Sequence, residues 1–153
     1  MSNIEIREAA SQDIITLLQF EQGLISAERP FDSTLGKGEI HYYDLEMMIT
    51  APHIQLLVAE LDGELIASGY ARIEDAKPYL EHKKHAYLGF MYTVPKHRGK
   101  GVNQKIIEAL KEWSVSKGIT ELTLDVYCEN APAIRAYEKV GFVKYMISMR
   151  RGV

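Results

Sequence analysis

One stretch, from Tyr87 to Gly118, limits what this chain can fold into more than any other. Tyr87 to Val94 reads as a strand and Pro95 ends it. Lys96-His97-Arg98-Gly99-Lys100-Gly101 then passes without an apolar period. Val102, Ile106, Ile107, Leu110 and Trp113 follow at helical spacing, and Gly118 closes the helix. Ile119 to Tyr127 reads as the next strand: Leu122, Leu124 and Val126 on one face, Thr123, Asp125 and Tyr127 on the other. Strand, glycine-containing turn, helix and strand in succession imply a crossover, and hence a mixed α/β sheet.

The remaining segments fit that class. Ile4 to Arg7 alternates as a first strand. Ser11 is placed to cap a helix carrying Ile14, Ile15, Leu17 and Leu18 and running toward Ile25. The pattern fails from Ser26 to Gly38, and a second helix is expected from Tyr42 to Ile49, before Pro52. Ile54–Glu60 and Glu64–Glu74 are strands joined at Asp62-Gly63, a strong two-residue hairpin signal. Asp75 to Lys84 is a polar connection. Asn130 is placed to cap a short helix through Lys139, Gly141 suits its left-handed end, and Phe142 to Met149 is expected as a final strand. The order is β-α-α-β-β-β-α-β-α-β, expected as a single domain over residues 1–153.

The turn before the long helix is suited to an anion. A strand feeding a helix N-terminus leaves backbone N–H groups unpaired, and the helix dipole adds positive potential there. Gly99 and Gly101 allow a ligand to approach the backbone, and Lys96, Arg98 and Lys100 add charge. The same pattern also describes an ordinary helix start with a solvated basic loop. It is neither a Walker loop nor the dinucleotide fingerprint, because no Gly-Lys-Ser/Thr and no third glycine follow.

Val94-x-x-x-Arg98-Gly99-Lys100-Gly101-Val102 resembles the acetyl-CoA-binding motif of the GNAT superfamily of N-acetyltransferases. Arg98, Gly101, Val94 and Pro95 match, whereas Asn103 stands where the family usually has Gly or Ala. Asn130-x-x-Ala133-x-x-x-Tyr137-x-x-x-Gly141-Phe142 resembles the second motif of that family, in order and at a suitable distance. The resemblance implies a mostly antiparallel mixed central sheet flanked by helices. It also implies transfer of an acetyl group from acetyl-CoA, as cosubstrate, directly to a primary amine of a small molecule, peptide or protein. A longer acyl-CoA as donor, or a non-catalytic CoA-binding sensor on the same fold, are the alternatives.

The resemblance also assigns residues. Met91, Tyr92, Thr93, Val94, Arg98, Gly99, Lys100, Gly101, Val102, Asn103, Asn130 and Tyr137 would hold CoA. Tyr137 stands at the general-acid position; a tyrosine is protonated at neutral pH and can give a proton to a leaving thiolate. An amine nucleophile must lose a proton, so a base is needed. The strand over Tyr87–Val94 has no carboxylate, which leaves Asp125 as the first candidate, with Glu129, His85 and Tyr92 behind it. The acceptor is expected between the first two helices, in a region holding Glu28, Arg29, Phe31, Asp32, His41, Tyr42, Tyr43 and Asp44. Arg29, Phe31 and Tyr42 are the residues named for substrate contact.

Composition narrows the rest. The 153 residues carry a net charge of −3, so nothing draws the whole chain to nucleic acid or anionic lipid. The N-terminus does not read as a signal peptide, no apolar run is long enough to span a membrane, and a cytoplasmic location follows as the expectation. The one cysteine, Cys128, excludes an internal disulfide and a Cys-based metal site, and reads as a small buried residue. No metal is expected. Relatives suggest a monomer or homodimer.

Overall fold

The computed structural model describes residues 3–153. β1 (Ile4–Glu8), α1 (Ile14–Glu28) and α2 (Leu45–Thr50) come first. β2 (Ile54–Leu61), β3 (Glu64–Asp75) and β4 (Lys84–Thr93) follow, then α3 (Val102–Ser116), β5 (Leu122–Thr123) and α4 (Ala131–Lys139). The strands lie side by side in chain order. β1 to β4 are antiparallel neighbours, and β5 joins β4 in parallel. Asp62 and Gly63 both take positive φ, 50° and 82°, which is the backbone of a primed hairpin turn between β2 and β3.

Helices cover both faces. On one face α3 sets Val102, Ile106, Ile107 and Leu110 against Leu57, Ala59, Ala67, Ala71, Ala86 and Leu88. Small residues on the strands let this helix come close. A Cβ at Gly69 would stand 2.7 Å from Ile106 Cγ2 and from Met91 Sδ. On the other face Leu17 and Phe20 of α1 and Leu45 and Met48 of α2 pack on Leu56, Val58, Tyr70 and Phe90. α4 adds Tyr137 and Val140 to the α3 side, half-buried.

One buried carboxylate fixes the path between α1 and α2. Glu21 is fully enclosed, and its carboxylate accepts the N–H groups of Tyr42 (2.7 Å) and Tyr43 (2.9 Å) and faces His41 Nδ1 at 2.7 Å. Burying a charge is costly unless its lone pairs are filled, and here three donors fill them. The helix boundaries shift from those expected. Ser11 opens a turn of 3-10 helix, α1 runs three residues past Ile25 to Glu28, and α2 starts at Leu45, capped by Asp44 on Met47 N–H at 3.2 Å.

Three expectations need larger correction. β5 pairs only through Leu122 and Thr123, not from Ile119 to Tyr127. β4 has a register shift against β3 at this level, with Phe90 at φ 54° and its carbonyl held by Ser68 Oγ at 2.9 Å. A bulge bends its strand, and β4 leaves β5 just beyond the paired residues. The segment Phe142–Met149 forms no ladder with any described strand. Cys128 is exposed, because it lies beyond the paired part of β5.

Candidate active site where β4 and β5 part

The parallel pairing of β4 with β5 ends after Tyr87 and Thr123. Beyond it, β4 from Leu88 to Thr93 keeps β3 on one side and has no ladder partner on the other. This opening is a wedge with backbone on one wall, α3 and α4 behind it, and α1 in front. Met91 turns to the α3 face and Tyr92 to the α1 face, where its ring lies 5.2 Å from Phe20.

Thr93 and Val94 lead into the turn. Gly99 and Gly101 take φ 75° and 79°, with Gly101 as the N-cap of α3. Among the described residues, the N–H groups of residues 99–104 have no acceptor within the chain. Six free amides at a helix start form a concave anion site. A Cβ at Gly99 or Gly101 would meet nothing within 4 Å, so the protein leaves that side open. Arg98 gives its Nε–H to the Thr93 carbonyl at 2.8 Å and lies over the Tyr92 ring at 5.5 Å, which leaves its terminal nitrogens for a ligand. Lys100 is exposed beside it, Val102 is buried beneath, and Asn103 is half-buried.

Tyr137 stands on the α4 side of the wedge. Its ring meets Phe142 edge-on at 5.9 Å, and no described residue bonds its hydroxyl. Burial first, and then the charge of Glu28, push its pKa up to about 12. The phenol stays protonated at neutral pH and has its proton free to give. Asn130 caps α4, accepting the Ala133 N–H at 3.3 Å.

The α1 side holds acids and aromatic rings. Glu28 is the last residue of α1, where the helix dipole opposes a negative charge. Burial raises its pKa, although the Tyr42 hydroxyl donates to it at 2.9 Å. Phe31 stacks on Tyr127 at 5.8 Å between centroids, and the Tyr127 hydroxyl donates to Asp32 at 3.2 Å. Asp32 is held well below the usual carboxylate range by Arg150 and by Thr34. Asp125 is exposed and accepts from the Tyr87 hydroxyl at 3.3 Å. Arg29 spends two nitrogens on the carbonyls of Gly36 (2.8 Å) and Gly38 (2.6 Å), so it braces its own loop. His85 is tied to Glu74 at 2.9 Å near the start of β4, away from the turn at its end.

The structure thus gathers Tyr137, Asn130 and the 91–103 segment around the wedge, with Phe31 and Tyr42 on the α1 side and Asp125 at its edge. It adds Glu28, which the sequence placed only within the acceptor region. Its signal was an acid at the C-terminal end of an apolar helix, where a cation is the favoured choice. The negative charge of Glu28 is felt at Tyr137, Tyr127, Tyr42 and Tyr43, although Tyr137 packs on the opposite face of the sheet.

Residues 21–142 match the Acetyltransferase (GNAT) family, and the chain belongs to that family. It is similar to aminoglycoside N(6')-acetyltransferase type 1 of Salmonella typhimurium, at 26% identity over 107 residues, 68% of this chain and 72% of that protein. A mutant of the BH1408 protein from Bacillus halodurans shares the fold with a TM-score of 0.88 at 18% identity, over 97% of this chain and 99% of that one. AAC(6')-Iy, solved with a bisubstrate analogue of CoA and acetylneamine, does so with a TM-score of 0.74 at 24% identity, over 99% and 100%. As a family member the chain is an acetyltransferase enzyme, with acetyl-CoA as cosubstrate and an amine as acceptor. Among the described residues, no helix is long and apolar enough to cross a membrane.

Proposed function

We propose that this acetyltransferase modifies a primary amine of a small polycationic acceptor of the aminosugar class, with Glu28 as the group that receives the amine's proton. The observation carrying this reading is the position of Glu28: a half-buried carboxylate at the end of α1, holding the Tyr42 hydroxyl at 2.9 Å, with its pKa raised by burial. Aminoglycoside acetylation by the curated relatives supports the acceptor class.

The residues present fit CoA. The free amides of residues 99–104, Arg98 and Lys100 would hold its pyrophosphate, and the edge of β4 from Met91 to Thr93, which has no ladder partner on the β5 side, would hold its arm. When bound, acetyl-CoA supplies the acetyl thioester. The chain's own groups do the rest. Glu28 accepts the proton from the ammonium or the attacking amine, directly or through a water, because its raised pKa makes it a better base than a free carboxylate. Free β4 N–H groups stabilise negative charge on the carbonyl oxygen. Tyr137 gives its hydroxyl proton to sulfur as the C–S bond breaks. The Phe31–Tyr127 stack, Tyr42 and Asp125 present ring faces and a carboxylate to the acceptor's cationic groups. Asp125 remains the second candidate base.

The test is thiol release from acetyl-CoA over a panel of aminosugars, polyamines and lysine peptides. Aminosugars should exceed lysine peptides in kcat/KM by at least about tenfold, some 1.4 kcal/mol of transition-state binding. A preference for peptides would contradict the acceptor class, and loss of rate in Asp125→Asn but not in Glu28→Gln would move the base to Asp125.

A further inference from the structure

Two carboxylates of α1, Glu21 and Glu28, lie seven residues apart on one face of the helix. That spacing is about two turns and about 10 Å of helix axis. Glu21 is fully enclosed, yet the proposed chemistry makes no use of it.

One residue reaches both. The Tyr42 N–H donates to Glu21 Oε2 at 2.7 Å, and the Tyr42 hydroxyl donates to Glu28 Oε1 at 2.9 Å. The backbone around Tyr42 is fixed from several sides. The Tyr43 N–H donates to the same Glu21 oxygen at 2.9 Å, and His41 Nδ1 meets Glu21 Oε1 at 2.7 Å. Gln22 Nε2 donates to the Ile40 carbonyl at 2.9 Å. The Tyr42 ring meets the Tyr43 ring edge-on at 5.6 Å, and Tyr43 packs at 4.5 Å on Phe90, the residue of positive φ in β4. Tyr42 is thus a strut from the buried middle of α1 to its last residue.

Glu28 is a residue that needs one. The end of α1 disfavours a carboxylate, and a free glutamate side chain samples many rotamers. A hydroxyl at 2.9 Å selects one arrangement and, among the described residues, leaves Oε2 without a partner. It also favours the ionised form, against burial and against the charge of Asp32.

We infer that Tyr42 is a positioning residue for the Glu28 carboxylate, and that Glu21 acts with it by holding the Tyr42 backbone. The effect on rate rests on Glu28 being the base; the effect on its titration does not. The other ionisable groups around Glu28 are Tyr43, Tyr137, and Asp32 with its partners Tyr127 and Arg150. Arg29, next in the chain, is turned to the carbonyls of Gly36 and Gly38. Among the described residues, Tyr42 alone bonds Glu28.

A carbon-13 titration of the Glu28 carboxyl, run beside the pH profile of kcat/KM for an aminosugar, tests this on the full chain. Tyr42→Phe keeps the ring and removes the hydroxyl, so Glu28 should titrate at higher pH than in wild type. The acid limb should move with it: at a fixed pH on that limb, kcat/KM should fall about fivefold more than on the plateau. Glu21→Gln should move the titration in the same direction and add nothing in a Tyr42→Phe background, because both act through one hydroxyl. If Glu21→Gln does not fold, His41→Ala replaces it, with a smaller shift that also vanishes without the Tyr42 hydroxyl. An unmoved Glu28 titration in Tyr42→Phe overturns the inference. So does a Glu21→Gln or His41→Ala shift that persists in full without that hydroxyl. A titration that moves while the acid limb stays in place upholds the strut and removes Glu28 as the base.

Discussion

The chain up to Ile119 and the chain after it are packed to different standards. Among the described residues, every buried one lies between Ala9 and Ile119. β5, α4 and the last segment offer only half-buried side chains, among them Leu122, Leu124, Tyr137 and Phe142. The first region is a run of hairpins with a helix layer on each face, so its contacts close locally. The second hangs from β4 by two paired residues. The proposed active site lies on the seam. Its well-packed wall supplies the bulged β4, the 99–104 amides and Glu28. Its open wall supplies Asn130, Tyr137 and Tyr127. A ligand that must enter between two strands needs one wall that holds its shape and one that is not sealed by its own core.

Substitutions on the two sides should separate these roles. Leu110→Ala, at a fully buried position on α3, should cost about 3 kcal/mol in urea unfolding. A loss well under that would mean the first region is not the rigid half. Glu28→Gln keeps the shape of the seam and removes the proposed base; kcat should fall about 100-fold, or about 2.7 kcal/mol, with KM for acetyl-CoA little changed. Asp13 is nearly buried and carries a bidentate pair with Arg7, and this bond holds its pKa down. A lowered carboxylate pKa stabilises the fold above the unfolded value and is lost as pH falls through the folded value. Wild-type melting should therefore drop below about pH 4. Asp13→Asn should be about 2 kcal/mol less stable at neutral pH and show a shallower acid drop.

Gly101→Val places a branched side chain at φ 79°, a strain of about 1–2 kcal/mol. It should raise KM for acetyl-CoA about tenfold or more, because the amides around it re-aim. The space about Gly101 is empty of protein, so the cause is backbone strain together with ligand crowding. Tyr137→Phe should be the gentlest on the fold, within about 0.5 kcal/mol, because no described residue bonds its hydroxyl. Its kcat should still drop about tenfold or more. Equal loss of stability and rate would make Tyr137 a packing residue.

What could be read from the residues follows the same division. Asp62-Gly63, Gly101 and the Val102-Ile106-Leu110 stripe carry local signals that the structure repeats closely. The length of β5 did not follow from Leu122, Leu124 and Val126, because alternation names a face, whereas pairing depends on the bulge at Phe90 in another strand. The last segment has a strand's pattern with no ladder partner among the described residues. Glu21 binds backbone twenty-one and twenty-two residues away, a reach with no local pattern. Glu28 gains its character from burial and from the Tyr42 hydroxyl fourteen residues on, and both are tertiary.

The pH dependence of kcat/KM for acetyl transfer to an aminosugar, measured for wild type and Glu28→Gln side by side, tests the seam most directly. Glu28 must be ionised to accept a proton, and its pKa is raised. The wild-type rate should therefore fall on the acid side at a pH above the ordinary glutamate value near 4.3, about where the buried carboxylate gains its proton. That limb should disappear in Glu28→Gln, leaving a low and flatter profile. An unchanged acid limb in the variant would contradict the assignment and place the base elsewhere on the wedge.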